Sequence, residues 1–294
     1  MNLIPRGSSR ARRSQIVILL FVLVGMLNIL TPAQTRKQTV ILAVSSESGE
    51  GSLDALAVLA GKQLRSPYSD EQKDQQKTFA EDYFKKGTVY RLIFGGGDAG
   101  SATVSAWNEG CNNVHAHASI STSARLGGKV MALATNSETL GKRAISRRPP
   151  TDAERSAALA LMKSIYQQHR TPAGLMSAIK VANLTATDLN GDGKYELVGS
   201  FTLAAKNKFE RDLFLIATPQ GNAMRAEFAK FQAYQPPPEG FLSSIDFIDQ
   251  LDIDGDGTGE VFATMGAFDG YALVAFKKVA GRWRQVHDQI GDLC

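Results

Sequence analysis

The residues best suited to chemistry in this chain are Asp252-Ile253-Asp254-Gly255-Asp256-Gly257-Thr258-Gly259-Glu260, and the chain carries the pattern twice. The other copy, Asp188-Leu189-Asn190-Gly191-Asp192-Gly193-Lys194-Tyr195-Glu196, begins 64 residues earlier (252 − 188). Both copies place oxygen-bearing side chains at loop positions 1, 3, 5 and 9 and glycine at 4 and 6. Hard cations such as Ca2+ take about six to eight oxygen ligands, and alternate residues of an acidic turn can converge on one ion. Position 7, Lys194 or Thr258, can add its backbone carbonyl. The glycines supply the positive φ that a sharp turn requires and a β-carbon resists. Four acids within nine residues make the second copy the stronger of the two, whereas Asn190 and Lys194 weaken the first. Asp, Asn and Gly also dominate metal-free surface turns; two copies in matching context argue against that reading.

The residues after each loop distinguish one kind of calcium loop from another. An EF-hand puts a bidentate Glu at position 12 and enters a helix. Position 12 here is Gly199 or Ala263, and the segments Glu196–Phe201 and Glu260–Met265 are rich in β-branched and aromatic residues that read as strands. A DxDGDGxxE loop running into a strand resembles the FG-GAP/VCBS repeat, the calcium-loop unit of integrin-type β-propellers and many bacterial surface proteins. The resemblance covers residues 180–221 and 243–283. It implies two Ca2+ sites. The ligands of one are Asp188, Asn190, Asp192 and Glu196 with the Lys194 carbonyl; those of the other are Asp252, Asp254, Asp256 and Glu260 with the Thr258 carbonyl. Two copies fall short of a closed propeller, so that architecture is not implied.

Other residue sets carry weaker signals. His115 and His117 alternate onto one face of a strand and could ligate a transition metal, but spacing fixes no third ligand among Cys111, His169, His287 or a carboxylate. Two half-exposed strand histidines is the favoured reading. Gly95-Gly96-Gly97 lacks a following Lys-Ser/Thr and helix, so it reads as a hairpin turn, not a phosphate cradle. The stretch Arg143–Pro150 reads as an exposed basic connection, with a phosphate or acidic-partner site as the alternative. No Gly-x-Ser-x-Gly or His-Glu-x-x-His motif is present. Cys111 and Cys294 are the two cysteines; in an oxidising compartment they are expected to pair, with two unpaired thiols as the alternative.

The elements that must position these residues are read from pattern. Arg6, Arg10, Arg12 and Arg13 precede an apolar run of 15 residues, Ile16–Leu30, short of the about 20 that a membrane span needs. This fits an export signal cleaved after Ala33, or an uncleaved anchor. Without those 33 residues the charge is 29 − 29 = 0, so the pI near 9.0 is no argument for nucleic acid. Residues 34–172 carry a net of 18 − 13 = +5 and residues 173–294 a net of 11 − 16 = −5, so the halves are expected to attract each other. In the first half, Thr39–Val44 reads as a strand, Ser45–Ser52 as a loop and Leu53–Leu64 as a short apolar helix. A helix capped by Ser69 extends to about Lys86, succeeded by strands Val89–Phe94, Ala102–Trp107, Val114–Ser121 and Lys129–Thr135. Thr151-Asp152-Ala153-Glu154 is a capping box opening a helix to about His169. The second half reads as strands almost throughout.

The fold class expected is α+β: an export segment (1–33), a mixed α/β first half (34–172) and a mostly antiparallel β second half (173–294). The second half would form a small sandwich or partial propeller-like sheet around the two calcium-loop repeats. The function expected is that of an exported calcium-binding protein, periplasmic, secreted or on the cell surface. Calcium would brace a β domain that binds an extracytoplasmic protein or glycan. Neither catalytic residues nor an organic cofactor site stand out, and membrane contact is expected only through an uncleaved N-terminal segment. The alternatives are an exported hydrolase gathering His115, His117, Glu109 or Asp98, or a purely structural envelope protein.

Overall fold

The computed structural model describes residues 37–47, 50–69, 72–205, 209–234, 244–267 and 270–293; the expected leader and Cys294 lie outside them. The first half corrects the α+β expectation. Its strands are β1 (Thr39–Glu47), β2 (Glu50–Ala60), β3 (Gln63–Arg65), β4 (Val89–Phe94), β5 (Gly97–Glu109), β6 (Val114–Thr122) and β7 (Ala132–Thr135). Six of them run β1-β7-β4-β5-β6-β2 with every neighbour antiparallel, and pairing of β1 with β2 closes the ring into a barrel; β3 extends β2.

The difference centres on residues 45–64. The expected loop belongs to β1 and β2, and the expected helix is β2, a tight turn at Gly61-Lys62 and β3. Leu53, Ala55 and Val58 face the barrel interior while Leu56 and Ala57 face a second core outside it. A strand buried on both faces shows an unbroken apolar run, and periodicity cannot separate that from a buried helix. The helix α1 (Lys73–Tyr83) starts later than Ser69, at Gln72 without a side-chain cap; its Phe79 and Ala80, with Phe84 beyond it, pack into the barrel core.

The second half holds two more antiparallel sheets. β8 (Arg147–Arg148), β9 (Lys180–Thr187), β10 (Glu196–Ala205), β11 (Phe209–Gln220) and β12 (Ala223–Tyr234) form one in the order β12-β11-β10-β9-β8. The strands β13 (Ile245–Leu251), β14 (Glu260–Ala267), β15 (Gly270–Val279) and β16 (Arg282–Leu293) form a four-stranded meander. The helix α2 (Asp152–Gln168) lies on the outer face of the five-stranded sheet, where the buried Tyr166 hydroxyl donates to Phe201 O (2.8 Å). Thus β8 and α2, although they precede residue 173, belong with that sheet, and the described residues from Gln38 onward form one compact unit.

Alternation along single strands links these layers. In β11, Leu213, Leu215 and Ala217 face α2, while Phe214 and Ile216 face the four-stranded sheet. In β15, Val274 and Phe276 return that contact while Leu273 and Ala275 face the barrel wall. In β1, Ile41 and Ala43 meet them from the outside of the barrel, and Val40, Leu42 and Val44 fill its interior. Side chains of period two thereby serve a different core on each face.

Trp107 sits against the barrel core and Trp283 between the two sheets. Trp107→Phe and Trp283→Phe each leave one fluorescent reporter, and both are expected to give the same urea midpoint. Phe262→Ala opens the core shared with the barrel and should lower stability by about 3–5 kcal/mol at either reporter. Two separate midpoints would contradict the shared core.

The capping box of α2 generates a pH prediction. Thr151 Oγ1 accepts from Glu154 N (3.3 Å), and the Glu154 carboxylate accepts from Thr151 N (2.7 Å) and from the Arg148 fork (2.8 Å twice). Arg148, chiefly, holds the Glu154 carboxyl down at about 2. A depressed acid contributes stability that is present above its ordinary range and lost as pH falls through the folded value. Glu154→Gln should therefore cost about 1 kcal/mol at pH 7 and nothing near pH 2. Equal losses at both pH values in urea melts would contradict this.

Candidate metal centre

Each acidic loop is the connection of a hairpin. The first joins β9 to β10, closed by the Thr187–Glu196 pair; the second joins β13 to β14, closed by Leu251–Glu260. Both fold through the same bonds at the same positions. The first Asp accepts from the N–H of position 4 (Gly191, 2.7 Å; Gly255, 2.8 Å) and of position 6 (Gly193, 2.9 Å; Gly257, 3.1 Å). Position 3 accepts from position 5, and position 5 from position 7. The Glu at position 9 reaches back to the N–H of position 2, Leu189 or Ile253, at 2.9 Å in each. Gly191, Gly193, Gly255 and Gly257 have φ between 73° and 92°, the left-handed region where glycine is favoured. The side chains at position 2, Leu189 and Ile253, are buried and fasten each loop to a core.

The two loops lie against each other. Gly259 N donates to Leu189 O at 2.7 Å. Arg143 bridges them, donating to Asp252 (3.2 Å), to Gly257 O and to Leu189 O (3.4 Å). Gln250 Nε2 donates to Asp188 O at 2.9 Å, and a β-carbon on Gly259 would lie 1.9 Å from Gln250 Oε1, so a side chain there would have to displace the Gln250 amide. The stretch 143–148 is therefore not the exposed connection expected from sequence. Arg143 grips an acidic loop, Arg147 is buried against Asp249 (3.5 Å), and Arg148 pairs with Glu154. Three ion pairs between the halves, Lys129–Asp246, Arg143–Asp252 and Arg147–Asp249, set a cation of the first half against a carboxylate of the second.

The loops differ in how their charge is balanced. Among the described residues, Asp252, Asp254 and Glu260 form the one trio of potential ligands whose ligating atoms all lie within 4.8 Å of one another. Oxygens bound to a single Ca2+ at about 2.3–2.6 Å are separated by no more than about 5 Å, so the trio fits an ion. That space is shared with a tethered cation. Lys277 Nζ lies 2.6 Å from Asp254, 2.7 Å from Glu260 and 3.8 Å from Asp256. Partial burial alone would lower the Lys277 pKa; the Asp254 and Glu260 carboxylates instead hold it above its usual range. Burial pushes Glu260 up, and Lys277 opposes that rise.

The first loop has no counterpart to Lys277. Register places Val261 opposite Phe276, hence Glu260 beside Lys277; Leu197 opposite Ala217 places Thr218 beside Glu196. Burial, with Asp192 and Asp188 adding to it, pushes Glu196 up to about 7. A cavity of about 420 Å3 opens beside Asn190, Asp192 and Glu196; Lys194 of the loop lines it, and the cations across it, Arg225 and Lys278, both pair with Glu227. Asp188, Asp192 and Glu196 do not converge as closely as the trio of the second loop.

The remaining candidates do not assemble a site. His115 and His117 face out of the barrel with ring centroids 5.7 Å apart, and Asn108 Nδ2 meets His117 Nε2 at 2.9 Å. His169 stacks on Phe231, and His287 is buried against Leu56 O. Asp98 and Glu109 lie at opposite ends of β5, and Asp98 is paired with Arg91. The Gly95-Gly96-Gly97 turn is a docking contact: β-carbons there would come within 2.5 Å of Arg147 N, 3.0 Å of Gln250 and 2.6 Å of Arg143 O.

Sequence reasoning missed Lys277 and Arg143. Lys277 was recoverable, because antiparallel pairing of β14 with β15, Ala267 opposite Gly270, sets 260 against 277; nothing local marks Arg143. Comparison with family models, with curated proteins and with solved structures finds no match for this chain.

Removing the ammonium leaves three carboxylates facing one another, one of them buried. Lys277→Met should lower stability in EDTA by up to about 3 kcal/mol, the scale for breaking a partly buried charge cluster. An unchanged urea midpoint in EDTA would contradict the role given to Lys277.

Proposed function

We propose that this is an exported calcium-binding protein in which calcium at the two acidic loops braces a β scaffold for interaction with an extracytoplasmic protein or glycan. The observation that carries the reading is the repeat itself. Two hairpins 64 residues apart fold through the same loop bonds, with oxygen donors at positions 1, 3, 5 and 9 in both. An all-oxygen donor set suits Ca2+ or Mg2+ over softer metals. The kinship to FG-GAP/VCBS repeats belongs to this proposal, as do export and the full ligand sets.

When bound, the ion supplies positive charge and a coordination shell that fixes loop geometry. The chain's own residues do the rest. Asp188 and Asp252 hold the backbone of each loop in place while offering remaining lone pairs inward. Arg143 and the Gly259–Leu189 bond make the two loops one rigid edge. At the second loop a cation must displace Lys277, whereas at the first it meets no internal rival. Binding to the folded state alone stabilises it by mass action.

Thermal unfolding of the exported chain in EDTA and then in millimolar CaCl2 tests this. The midpoint is expected to rise with calcium, by the equivalent of about 2.7 kcal/mol at a hundredfold excess over Kd. Asn190→Ala and Asp254→Ala, which remove position 3 of each loop, should each shrink the rise, and Lys277→Met should enlarge it. A calcium-independent midpoint in the unaltered protein would overturn the proposal.

A further inference from the structure

A second cavity, of about 650 Å3, lies between the β6–β7 connection of the barrel, Arg147–Pro149 and the middle of β9. Its volume is that of a small-molecule site, for which about 300–1,000 Å3 is usual. The floor is aromatic: the Arg147 guanidinium lies 4.7 Å from the centroids of both Phe94 and Phe247, held there by its bonds to Met131 O and Ile248 O. Leu184, Ala182 and Val130 make the walls largely apolar.

Among the described residues, the charged ones around this cavity are Arg125, Lys129, Arg147 and Arg148; all are cationic and no carboxylate lines it. Arg147, Arg148 and Lys129 find their carboxylates outside the lining, in Asp249, Glu154 and Asp246. Arg125 is exposed and has no ion-pair partner among the described residues. Asn183 is part of the lining, and its Nδ2 donates to Asp246.

We propose that this cavity binds a small amphipathic anion: an apolar body against Phe94, Phe247 and Leu184, and a carboxylate or phosphate head at Arg125 and Lys129. The site is independent of the calcium loops. The assignment rests on an apolar concavity with convergent polar groups and one sign of charge, in which only the ligand's head needs to meet solvent.

The test titrates the full chain calorimetrically with N-octanoylglycine, N-octanoylglycine methyl ester and octanoate, and repeats the first titration with octyl phosphate to separate the two kinds of head group. One saturable site is expected for both N-octanoylglycine and octanoate, with at least tenfold weaker binding of the ester, which lacks the anion. Arg125→Gln combined with Lys129→Gln should weaken binding at least tenfold. Both positions are exposed, so folding is retained. Ala182→Trp, which fills the cavity, should abolish binding, and an unchanged melting midpoint would verify that the variant is folded. Absence of saturable binding by any of these anions, or equal affinity for acid and ester, or binding that survives both sets of substitutions, would overturn the proposal.

Discussion

The arrangement of the three sheets depends on one buried cation, Arg147. Its guanidinium sits between Phe94 of the barrel and Phe247 of the four-stranded sheet, and its backbone begins the edge strand of the five-stranded sheet. It thus touches all three sheets. Asp249 answers it from full burial, also accepting from Gly95 N at 2.9 Å with both oxygens and from Gln250 N at 2.8 Å. Burial pushes the Asp249 carboxyl up, and Arg147 with those amides opposes the rise. Removing either member would strand a charge in a dry interior, a far larger penalty than the pair's net contribution. The glycines at 95 and 97 reflect the same contact, because the chain at 143–147 approaches too closely to allow a β-carbon.

That junction sets the position of the acidic loops. Gln250, adjacent to Asp249, spans from Ser146 to Thr187 and Asp188, and Arg143 continues the same segment into the second loop. The loops consequently share one edge, although they lie 64 residues apart. Their electrostatics are nonetheless asymmetric. Lys277 balances the carboxylates of the second loop, while Thr218 at the matching place leaves Glu196 of the first with only backbone donors. The loop richer in acids therefore holds its own counter-charge, and the loop that looked weaker is the one that an external cation would relieve.

Features written locally were legible. The loop motif, its glycines at 191, 193, 255 and 257 and the strands flanking it need only neighbours in sequence, and so does the Thr151–Glu154 capping box. The second-half strands were readable for the same reason. Features defined by distant partners were not. Leu53–Ala60 is apolar on both faces because a barrel core lies on one side and a sheet on the other, and nothing in its own spacing says so. Arg143 and Arg147 read as a solvated basic run because Asp252 and Asp249 lie about a hundred residues away. The opposite net charges of the two halves did register that attraction in outline, without identifying the residues.

The central claim is that the two loops hold calcium, and diffraction from crystals grown in calcium, with anomalous scattering to identify the ion, tests it most directly. The account predicts an ion at about 2.3–2.6 Å from oxygens of Asp188, Asn190, Asp192, Glu196 and the Lys194 carbonyl. It predicts a second among Asp252, Asp254, Asp256, Glu260 and the Thr258 carbonyl, with the Lys277 ammonium withdrawn. Loops free of ions in saturating calcium, with Lys277 still against Asp254 and Glu260, would contradict it.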